Sequence, residues 1–352
     1  MDRYFKRAVT ALAGYEPPPQ ERVRAKLNQN ESPFDLPEAF KKELLMEAAA
    51  LPWNRYPASE SGALKEALAA RHGLRPGQIL PGNGSNQLLQ TLLAAVIEPG
   101  DGLLYFPPTF GLFELFATIN GAQTTGILCP PDRPFPLEEA LAAIRTGAPK
   151  LILLCSPDNP TGRALSRPEV EAICQAAPGL VFLDEAYAEF GGWSGLSLLE
   201  QYPGLVLSRT FSKAFSMAGL RLGYLISHPA NIDQLRKAHL PYTVNLLTEH
   251  IALRLLVDPG LLEERVAWIV REREWLLAEM RRIAAVTVYP SAANFLLFRC
   301  ADGKSLFRRL KERGILVRDV SGYPLLENHL RVNTGSHDEN LWFLEALKES
   351  LS

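Results

Sequence analysis

Short runs of consecutive apolar residues alternate with segments of helical periodicity along the first two thirds of the chain. The runs Gly102–Tyr105, Leu151–Cys155 and Val181–Leu183 predict strands covered by helices on both faces. Apolar residues recur at helical spacing over Ala63–Arg71 and Leu88–Ile97. This alternation predicts an α/β fold on a mostly parallel sheet, with the functional site at the strand ends.

The last third of the chain has a different pattern. A long helix is predicted from near Pro259 through the charged stretch Glu263–Arg282, followed by strands at Val286–Tyr289 and Asn294–Phe298. One helix followed by strands in sequence is typical of an α+β unit. The sequence therefore predicts a second, smaller domain at the C-terminal end.

The N-terminal residues are rich in proline and polar side chains, including Pro17-Pro18-Pro19. This composition predicts an extended arm that lies across a partner subunit, rather than a packed unit. The predicted organisation is an N-terminal arm over residues 1–37, a large domain over 38–240 and a small domain over 241–352.

Composition narrows the class of protein. Of the 352 residues, 47% are hydrophobic and 22% charged, which suffices for a large core without disulfides or metals. The net charge of −2, without blocks of like charge, argues against a nucleic-acid surface or a membrane anchor. The four cysteines form no Cys-x-x-Cys pair, so no metal or redox site is expected. Without an apolar signal core or a long apolar stretch, we expect a cytoplasmic protein that binds small molecules.

The segment Ser208–Tyr224 places hydroxyl groups on both sides of Lys213 directly after an apolar strand. A phosphate dianion requires hydroxyl donors and a bidentate guanidinium, which Ser212, Thr210 and Arg221 supply near the amine. Taken singly, Lys213 is equally consistent with a surface lysine or with a serine-lysine hydrolase pair. The flanking residues favour a phosphorylated cofactor.

This segment resembles the cofactor-lysine motif of fold-type-I aminotransferases, and further motifs in the family's order extend the resemblance from about Leu27 to Asn340. The resemblance implies a large domain with a mostly parallel, helix-covered sheet and a smaller α+β domain. It implies pyridoxal 5'-phosphate as cofactor. Lys213 would then form a Schiff base with the cofactor and shuttle the substrate proton.

Two further strand ends match the same family. In Leu180–Tyr187 the resemblance assigns Asp184 to the pyridine nitrogen, where a carboxylate keeps the ring protonated, and Tyr187 to the ring hydroxyl. Asn159, in an Asn-Pro-Thr-Gly turn, would also bind the ring hydroxyl. An acidic strand end and an Asn-Pro turn are each common in other α/β proteins, so the assignment depends on the order of the motifs.

The turn before the predicted helix Leu88–Ile97 resembles the family's phosphate cup. The backbone N–H groups of Gly84, Ser85 and Asn86 would face the phosphate at a helix N-terminus. The family usually has an acidic pair where this chain has Asn86-Gln87, so we expect the backbone contacts to the phosphate but not the family's side-chain contacts. Helix capping alone would also explain the glycine-rich start of the helix.

Two aromatic residues complete the implied cofactor site. Phe110 would stack on the cofactor ring, where stacking contributes roughly 1 kcal/mol beyond burial. Tyr56, in Asn54–Pro57, would reach the phosphate bound by a neighbouring subunit. The resemblance therefore implies a homodimer.

The segments Leu27–Pro33 and Val317–Pro324 look most like histidinol-phosphate aminotransferases. For this group the resemblance implies transfer of an amino group between L-histidinol phosphate and 2-oxoglutarate, yielding imidazole-acetol phosphate and L-glutamate in histidine biosynthesis. Arg318 and Arg331 would grip the substrate phosphate, together with Asn159, and Tyr15 would close over the same end. Each arginine is also consistent with an ordinary ion pair.

Alternative functions remain open at this stage. Threonine-phosphate decarboxylase of cobalamin biosynthesis shares the fold and a phosphorylated substrate, and Leu240–Asn245 suits either enzyme. An aromatic amino acid aminotransferase would also fit. A cofactor-sensing transcription regulator needs a basic DNA-binding module, for which the motifs, starting near residue 27, leave no room.

Overall fold

A seven-stranded sheet forms the centre of the large domain. The computed structural model describes residues 4–12, 23–257 and 259–351. The sheet has the order β2-β8-β7-β6-β5-β3-β4, and only β8 runs antiparallel to its neighbours. Its strands are β2 (Ile79–Gly82), β3 (Gly102–Tyr105), β4 (Gln123–Gly126), β5 (Leu151–Cys155), β6 (Leu180–Asp184), β7 (Leu205–Thr210) and β8 (Gly223–Ser227).

Helices cover both faces of this sheet. They are α2 (Glu38–Ala49), α3 (Gly62–His72), α4 (Gly84–Val96), α5 (Leu112–Ile119), α6 (Leu137–Gly147), α7 (Arg167–Ala176), α8 (Pro229–Ala238) and α9 (Leu246–Val257). Strand β5 shows why its sequence is apolar throughout. Ile152 and Leu154 enter one core cluster, whereas Leu151 and Leu153 enter the cluster on the opposite face. Side chains alternate across a strand, so a sheet buried on both faces requires a continuous apolar run.

The small domain is built on a four-stranded antiparallel sheet with the order β12-β13-β10-β9. A separate parallel pair joins β1 to β11. The elements are β1 (Ala25–Lys26), α10 (Gly260–Arg281), β9 (Thr287–Val288), β10 (Phe295–Arg299), α11 (Gly303–Glu312), β11 (Ile315–Leu316), β12 (Arg318–Asp319), β13 (His329–Asn333) and α12 (His337–Leu351). Among the described residues, none of the helices has the length and apolar content needed to cross a bilayer.

The element predictions differ from the structure mainly at strand ends. The bounds predicted for β3 and β5 are confirmed, and the α/β class is confirmed. The strand predicted over residues 286–289 is reduced to Thr287–Val288, because β9 pairs with β10 through two residues only. Sequence reasoning missed β4, whose residues Gln123–Gly126 are all exposed and therefore carry no apolar signal.

The structure describes two parts of the segment expected to form an extended arm over residues 1–37, residues 4–12 and 23–37. Residues Arg7–Thr10 form the short helix α1, and β1 pairs with β11. Ala25 and Leu27 are buried in the core of the small domain. Apolar residues whose strand partner lies far along the chain give no local periodicity, so the sequence pattern did not indicate this packing.

The packing also bears on the domain boundary expected at residues 240/241. Helix α9 and the first half of α10 pack into the large-domain core through residues such as Ala252 and Ile269. Leu276 and Met280, further along α10, belong to the small-domain core. We therefore propose that the domains divide within α10, between Ile269 and Leu276. One uninterrupted helix serves both cores, so helical periodicity could not mark the division.

Candidate active site

A cavity of about 710 Å³ lies where the carboxyl ends of the parallel strands face the small domain. Parallel strands present their carboxyl ends at one edge of a sheet, and ligands bind there in open α/β folds. The cavity is lined by twelve of the residues expected from the sequence: Ser85, Asn86, Phe110, Asn159, Asp184, Tyr187, Thr210, Ser212, Lys213, Arg221, Arg318 and Arg331.

Lys213 follows β7 and lines the cavity, where it is half-buried. Its Nζ donates a hydrogen bond to the Gln29 carbonyl oxygen at 2.9 Å and lies 5.9 Å from the centre of the Tyr187 ring. Burial, and then the positive charge of Arg331, lowers the pKa of Lys213 to about 7. The amine is therefore substantially neutral near pH 7, which is the nucleophilic and basic form.

Asp184 is the last residue of β6, and its carboxyl group faces the same cavity. Its Oδ1 accepts a hydrogen bond from the Ala186 N–H at 3.1 Å. Burial raises the pKa of Asp184 to about 7, and the negative charge of Glu185 acts in the same direction. A buried acid with a raised pKa favours a positively charged or proton-bearing group placed against it.

The Tyr187 hydroxyl is fixed by a residue from the N-terminal segment. It accepts a hydrogen bond from Asn30 Nδ2 at 2.8 Å. Asn30 is held by the small domain, because its N–H donates to Asn333 Oδ1 at 3.2 Å and its carbonyl accepts from Asn294 Nδ2 at 3.1 Å. Neither Asn30 nor Gln29 was predicted as a site residue. The Leu27–Pro33 motif was the available signal, since polar residues are grouped there beside a buried strand.

The start of α4 forms an anion cup. The helix begins at Gly84, and the side chain of its N-cap residue Asn83 makes no capping hydrogen bond. Gly84 has φ +79°, and a Cβ there would lie 2.6 Å from a guanidinium nitrogen of Arg221. Arg221 donates to Ser212 Oγ at 3.2 Å. A guanidinium, a hydroxyl and first-turn N–H groups thus converge, as an anion site at a helix N-terminus requires.

Arg318 and Arg331 lie side by side on the small-domain sheet, because the two residues are directly paired in the antiparallel register of β12 and β13. Side chains of such a pair share one face of the sheet. Arg331 donates to Asn159 Oδ1 and, at 2.9 Å, to the Asn28 carbonyl oxygen. Two cationic groups therefore line one wall of the cavity.

The loops that carry Phe110 and Asn159 are joined by the buried side chain of Asp158. Its two carboxyl oxygens accept hydrogen bonds from the hydroxyls of Thr109 and Thr161, each at 2.6 Å. Burial raises the pKa of Asp158 to about 6. This contact fixes the spacing between the aromatic side of the cavity and the amide side.

Behind Asp184, a buried ionic network ties β7 to the segment after β6. Arg209 Nε donates to Glu185 at 2.8 Å and NH1 donates to Glu189 at 2.9 Å. Glu185 also accepts from the Gly195 N–H at 2.7 Å and from the Ser194 hydroxyl at 2.9 Å. The network holds the strand ends that present Asp184 and Lys213 to the cavity.

Arg209→Ala is expected to lower the free energy of unfolding by about 3–5 kcal/mol, because it leaves the buried carboxylate of Glu185 and the partly buried carboxylate of Glu189 without their cation. Urea unfolding of the variant and of Arg313→Ala, whose ion pair is exposed, would provide the comparison. If Arg209→Ala lowers the free energy of unfolding no more than Arg313→Ala does, the buried network does not have this stabilising role.

Two of the expected residues, Gly84 and Tyr56, are placed differently. Gly84 lies behind Arg221 rather than on the cavity lining. Tyr56 does not line the cavity of its own chain, since its side chain is 82% exposed and stacks on Tyr242 with ring centres 4.7 Å apart. Tyr15 lies outside the described residues. The structure also adds lining residues that sequence reasoning missed, among them Leu112, Leu115 and Tyr323.

Comparison with known proteins shows the family to which the chain belongs. Residues 24–347 match the sequence profile described as aminotransferase class I and II. The chain belongs to the class I and II aminotransferase family. A curated histidinol-phosphate aminotransferase from Chlorobaculum tepidum is 37% identical to this aminotransferase over 94% of the chain and 95% of its own length. Another, from Caldanaerobacter subterraneus, is also 37% identical, over 93% of the chain and 93% of its own length.

Solved structures agree with the family assignment. A histidinol-phosphate aminotransferase from Sinorhizobium meliloti, solved in complex with pyridoxal-5'-phosphate, superposes with a TM-score of 0.87 at 28% identity. The match covers 99% of this aminotransferase and 97% of that chain. An L-threonine-O-3-phosphate decarboxylase from Porphyromonas gingivalis matches at a TM-score of 0.80 and 23% identity over 93% and 99% of the two chains, which shows a shared fold.

Proposed function

We propose that this aminotransferase uses pyridoxal 5'-phosphate to exchange an amino group between L-histidinol phosphate and 2-oxoglutarate, a step of histidine biosynthesis. The observation that carries the proposal is the pair Arg318 and Arg331 on the cavity wall of a chain with the lysine, acid and anion cup of an aminotransferase. The relatives that match over nearly the whole chain carry this activity in their names.

The cavity fits the proposed cofactor. Gly84 has no side chain, so the Arg221 guanidinium lies against the first turn of α4, where this guanidinium and the Ser212 hydroxyl would hold the phosphate. Gly223 lets β8 approach the same turn closely, because a Cβ there would lie 2.6 Å from the Ser85 nitrogen. A buried acid at the end of β6 and a half-buried lysine just after the neighbouring strand β7 supply the two further groups that such a cofactor requires.

When bound, pyridoxal phosphate supplies an electron sink for the electrons left on the substrate carbon after proton removal. The residues of the chain provide the rest. The neutral Lys213 Nζ would accept the Cα proton and later return it, a role that its lowered pKa permits near neutral pH. Asp184 would hold a proton at the ring nitrogen, and Tyr187 and Asn159 would orient the ring through its hydroxyl. Phe110 would exclude water from one ring face.

The arginine pair is proposed to bind the anionic end of each substrate. Histidinol phosphate carries a phosphate and no carboxylate, so its dianion can engage both guanidinium groups through charge-assisted hydrogen bonds. 2-Oxoglutarate presents a carboxylate to the same wall. One cationic wall thus serves both half-reactions.

Arg318→Gln is expected to lower kcat/KM for histidinol phosphate by about 10- to 100-fold, since a hydrogen bond to a charged group contributes about 1.5–3 kcal/mol. Most of the change should appear in KM, because the arginine contacts the substrate and not the reacting carbon. Steady-state assays of Arg318→Gln and of the exposed-residue control Arg313→Gln test this. An unchanged KM for the phosphorylated donor would exclude Arg318 from the binding site.

A substrate panel tests the proposed function directly. Purified enzyme would be incubated with 2-oxoglutarate and with histidinol phosphate, phosphothreonine or phenylalanine, and glutamate and carbon dioxide would be measured. We expect glutamate formation to be fastest with histidinol phosphate. Release of carbon dioxide from phosphothreonine without consumption of the keto acid would overturn the proposal in favour of a decarboxylase, and a preference for phenylalanine would indicate an aromatic aminotransferase.

The same proposal includes a homodimer. Met46, Trp53 and Tyr56 have side chains that are 69–82% exposed near one another in the chain, which is the kind of surface that a second copy buries. In the dimer Tyr56 would reach the phosphate of the neighbouring site. Light scattering of the holoenzyme would report a mass of two chains.

A further inference from the structure

The active cavity has an apolar side that the proposed mechanism leaves unused. Leu112 and Leu115 lie three residues apart on α5 and line the cavity, half-buried. Phe113 and Ala117 on the same helix are fully buried in the core. Helix α5 therefore presents apolar side chains both to the core of the large domain and to the cavity.

Tyr323 from the small domain stands opposite this face of α5. Its hydroxyl lies so close to Gly111 that a Cβ there would be 3.4 Å from the hydroxyl oxygen and 3.9 Å from two ring carbons. Gly111 is the residue that precedes α5. These are ordinary van der Waals distances, and they place the hydroxyl end of the Tyr323 ring over the start of the helix.

A second cavity of about 410 Å³ lies on the far side of Tyr323. It is lined by Arg299, Ser321, Tyr323, Leu325, Glu327, Asn328 and His329. Among the residues that line these two cavities, only Tyr323 is common to both. Tyr323 therefore borders both the active cavity and this outer cavity.

The loop that carries Tyr323 is braced by its own backbone. The Tyr323 N–H donates to the Val320 carbonyl at 3.0 Å, and the Leu326 N–H donates to the Tyr323 carbonyl at 3.2 Å. The side chain packs against a small cluster of Leu297, Val320 and Leu326. The hydrogen bonds hold the backbone of the loop, and the apolar cluster holds the ring. The Tyr323 side chain therefore has a fixed position beside the cavity.

We propose that Tyr323 is a specificity-determining residue, which limits the size of the ring that the amino donor can carry. This inference rests on the proposed function, in which Arg318 and Arg331 hold the phosphate of the donor. The remaining substituent is then a neutral planar ring, and the apolar side formed by Leu112, Leu115 and Tyr323 is the surface that suits it. A ring larger than imidazole meets the tyrosine before it is seated.

The test compares two donors that differ only in the ring, L-histidinol phosphate and the phosphate ester of L-tryptophanol. For Tyr323→Ala we expect the ratio of kcat/KM for the imidazole donor to that for the indole donor to fall about 10-fold or more, because the wall between the cavities is removed. Tyr323→Phe retains the wall, so its ratio should remain within about threefold of the wild-type value.

Leu325→Ala is the matched control, since Leu325 lines the outer cavity alone and is exposed. Its ratio should equal that of the wild type. The visible absorbance of the bound cofactor and the midpoint of urea unfolding, measured for all three variants, establish whether folding and cofactor binding are intact. A Tyr323→Ala ratio equal to that of Leu325→Ala would overturn the proposal.

Failure of the proposed function is distinguishable from failure of this inference. An enzyme that does not use histidinol phosphate at all overturns the function, and the wall is then tested with L-phenylalanine and L-tryptophan as donors. Relief of discrimination against tryptophan in Tyr323→Ala supports the wall. An unchanged ratio in that series refutes it.

Discussion

Lys213→Ala is expected to abolish turnover while the protein still takes up its cofactor. Loss of a positioned general base alone lowers a rate by about 10²–10⁴-fold, and loss of the covalent link adds to this. Cofactor uptake should persist because the anion cup, Arg221 and Asp184 do not depend on the lysine side chain. Steady-state kcat and the visible absorbance of the dialysed variant measure the two effects separately.

Chemical labelling identifies the lysine itself. Borohydride reduction of the wild-type holoenzyme, followed by peptide mapping, should place the cofactor on Lys213. Lys237→Ala is the control, because Lys237 is exposed on α8, and this variant should keep wild-type activity and label. A modified peptide that contains any lysine other than Lys213 would refute the assignment.

Asp184→Asn is expected to cause the second large loss, by at least about 10²-fold in kcat. An amide has a similar shape but cannot hold a proton on the ring nitrogen, so the electron sink is weakened and removal of the Cα proton slows. Single-turnover measurements with glutamate isolate this step from product release. A variant with near-normal proton removal would contradict the role of the acid.

The same substitution is expected to stabilise the cofactor-free protein. Burial raises the pKa of Asp184 from 3.8 to about 7, so the folded state binds this proton more tightly than the unfolded state. The resulting contribution to stability is complete below pH 3.8 and is lost as the pH rises through 7. At pH 8 the asparagine variant avoids a buried carboxylate and should gain roughly 1–4 kcal/mol. Urea unfolding at pH 8 and pH 5 should show this gain shrinking at the lower pH.

The sequence predicted those parts of the fold that local pattern determines. Strands β3 and β5 are buried on both faces and are continuously apolar, so their bounds were correct. The exposed edge strand β4 has no such pattern. The division between the two cores falls inside α10, where the helical pattern continues unbroken.

Site residues at strand ends were likewise predictable, because parallel strands bring Asn159, Asp184 and Lys213 to one edge whatever the loops between them do. Asn30 and Tyr323 were not predictable in this way. Asn30 reaches Tyr187 through contacts with β13 and with the segment before β10, and Tyr323 reaches Gly111 from a small-domain loop. Such contacts join segments far apart in sequence, and no spacing rule connects them.

The pairing of β1 with β11 has a consequence for biosynthesis. Ala25 is paired with Ile315, so the strand next to Asn28–Asn30 acquires its partner only after residue 315 has been translated. At about 5–20 residues per second the N-terminal segment waits roughly 15–60 s on the ribosome. Until then β1 lacks the strand partner beside the segment whose Gln29 carbonyl accepts a hydrogen bond from Lys213. A product truncated before Ile315 would therefore lack both this partner and the two arginines of the cavity wall, Arg318 and Arg331.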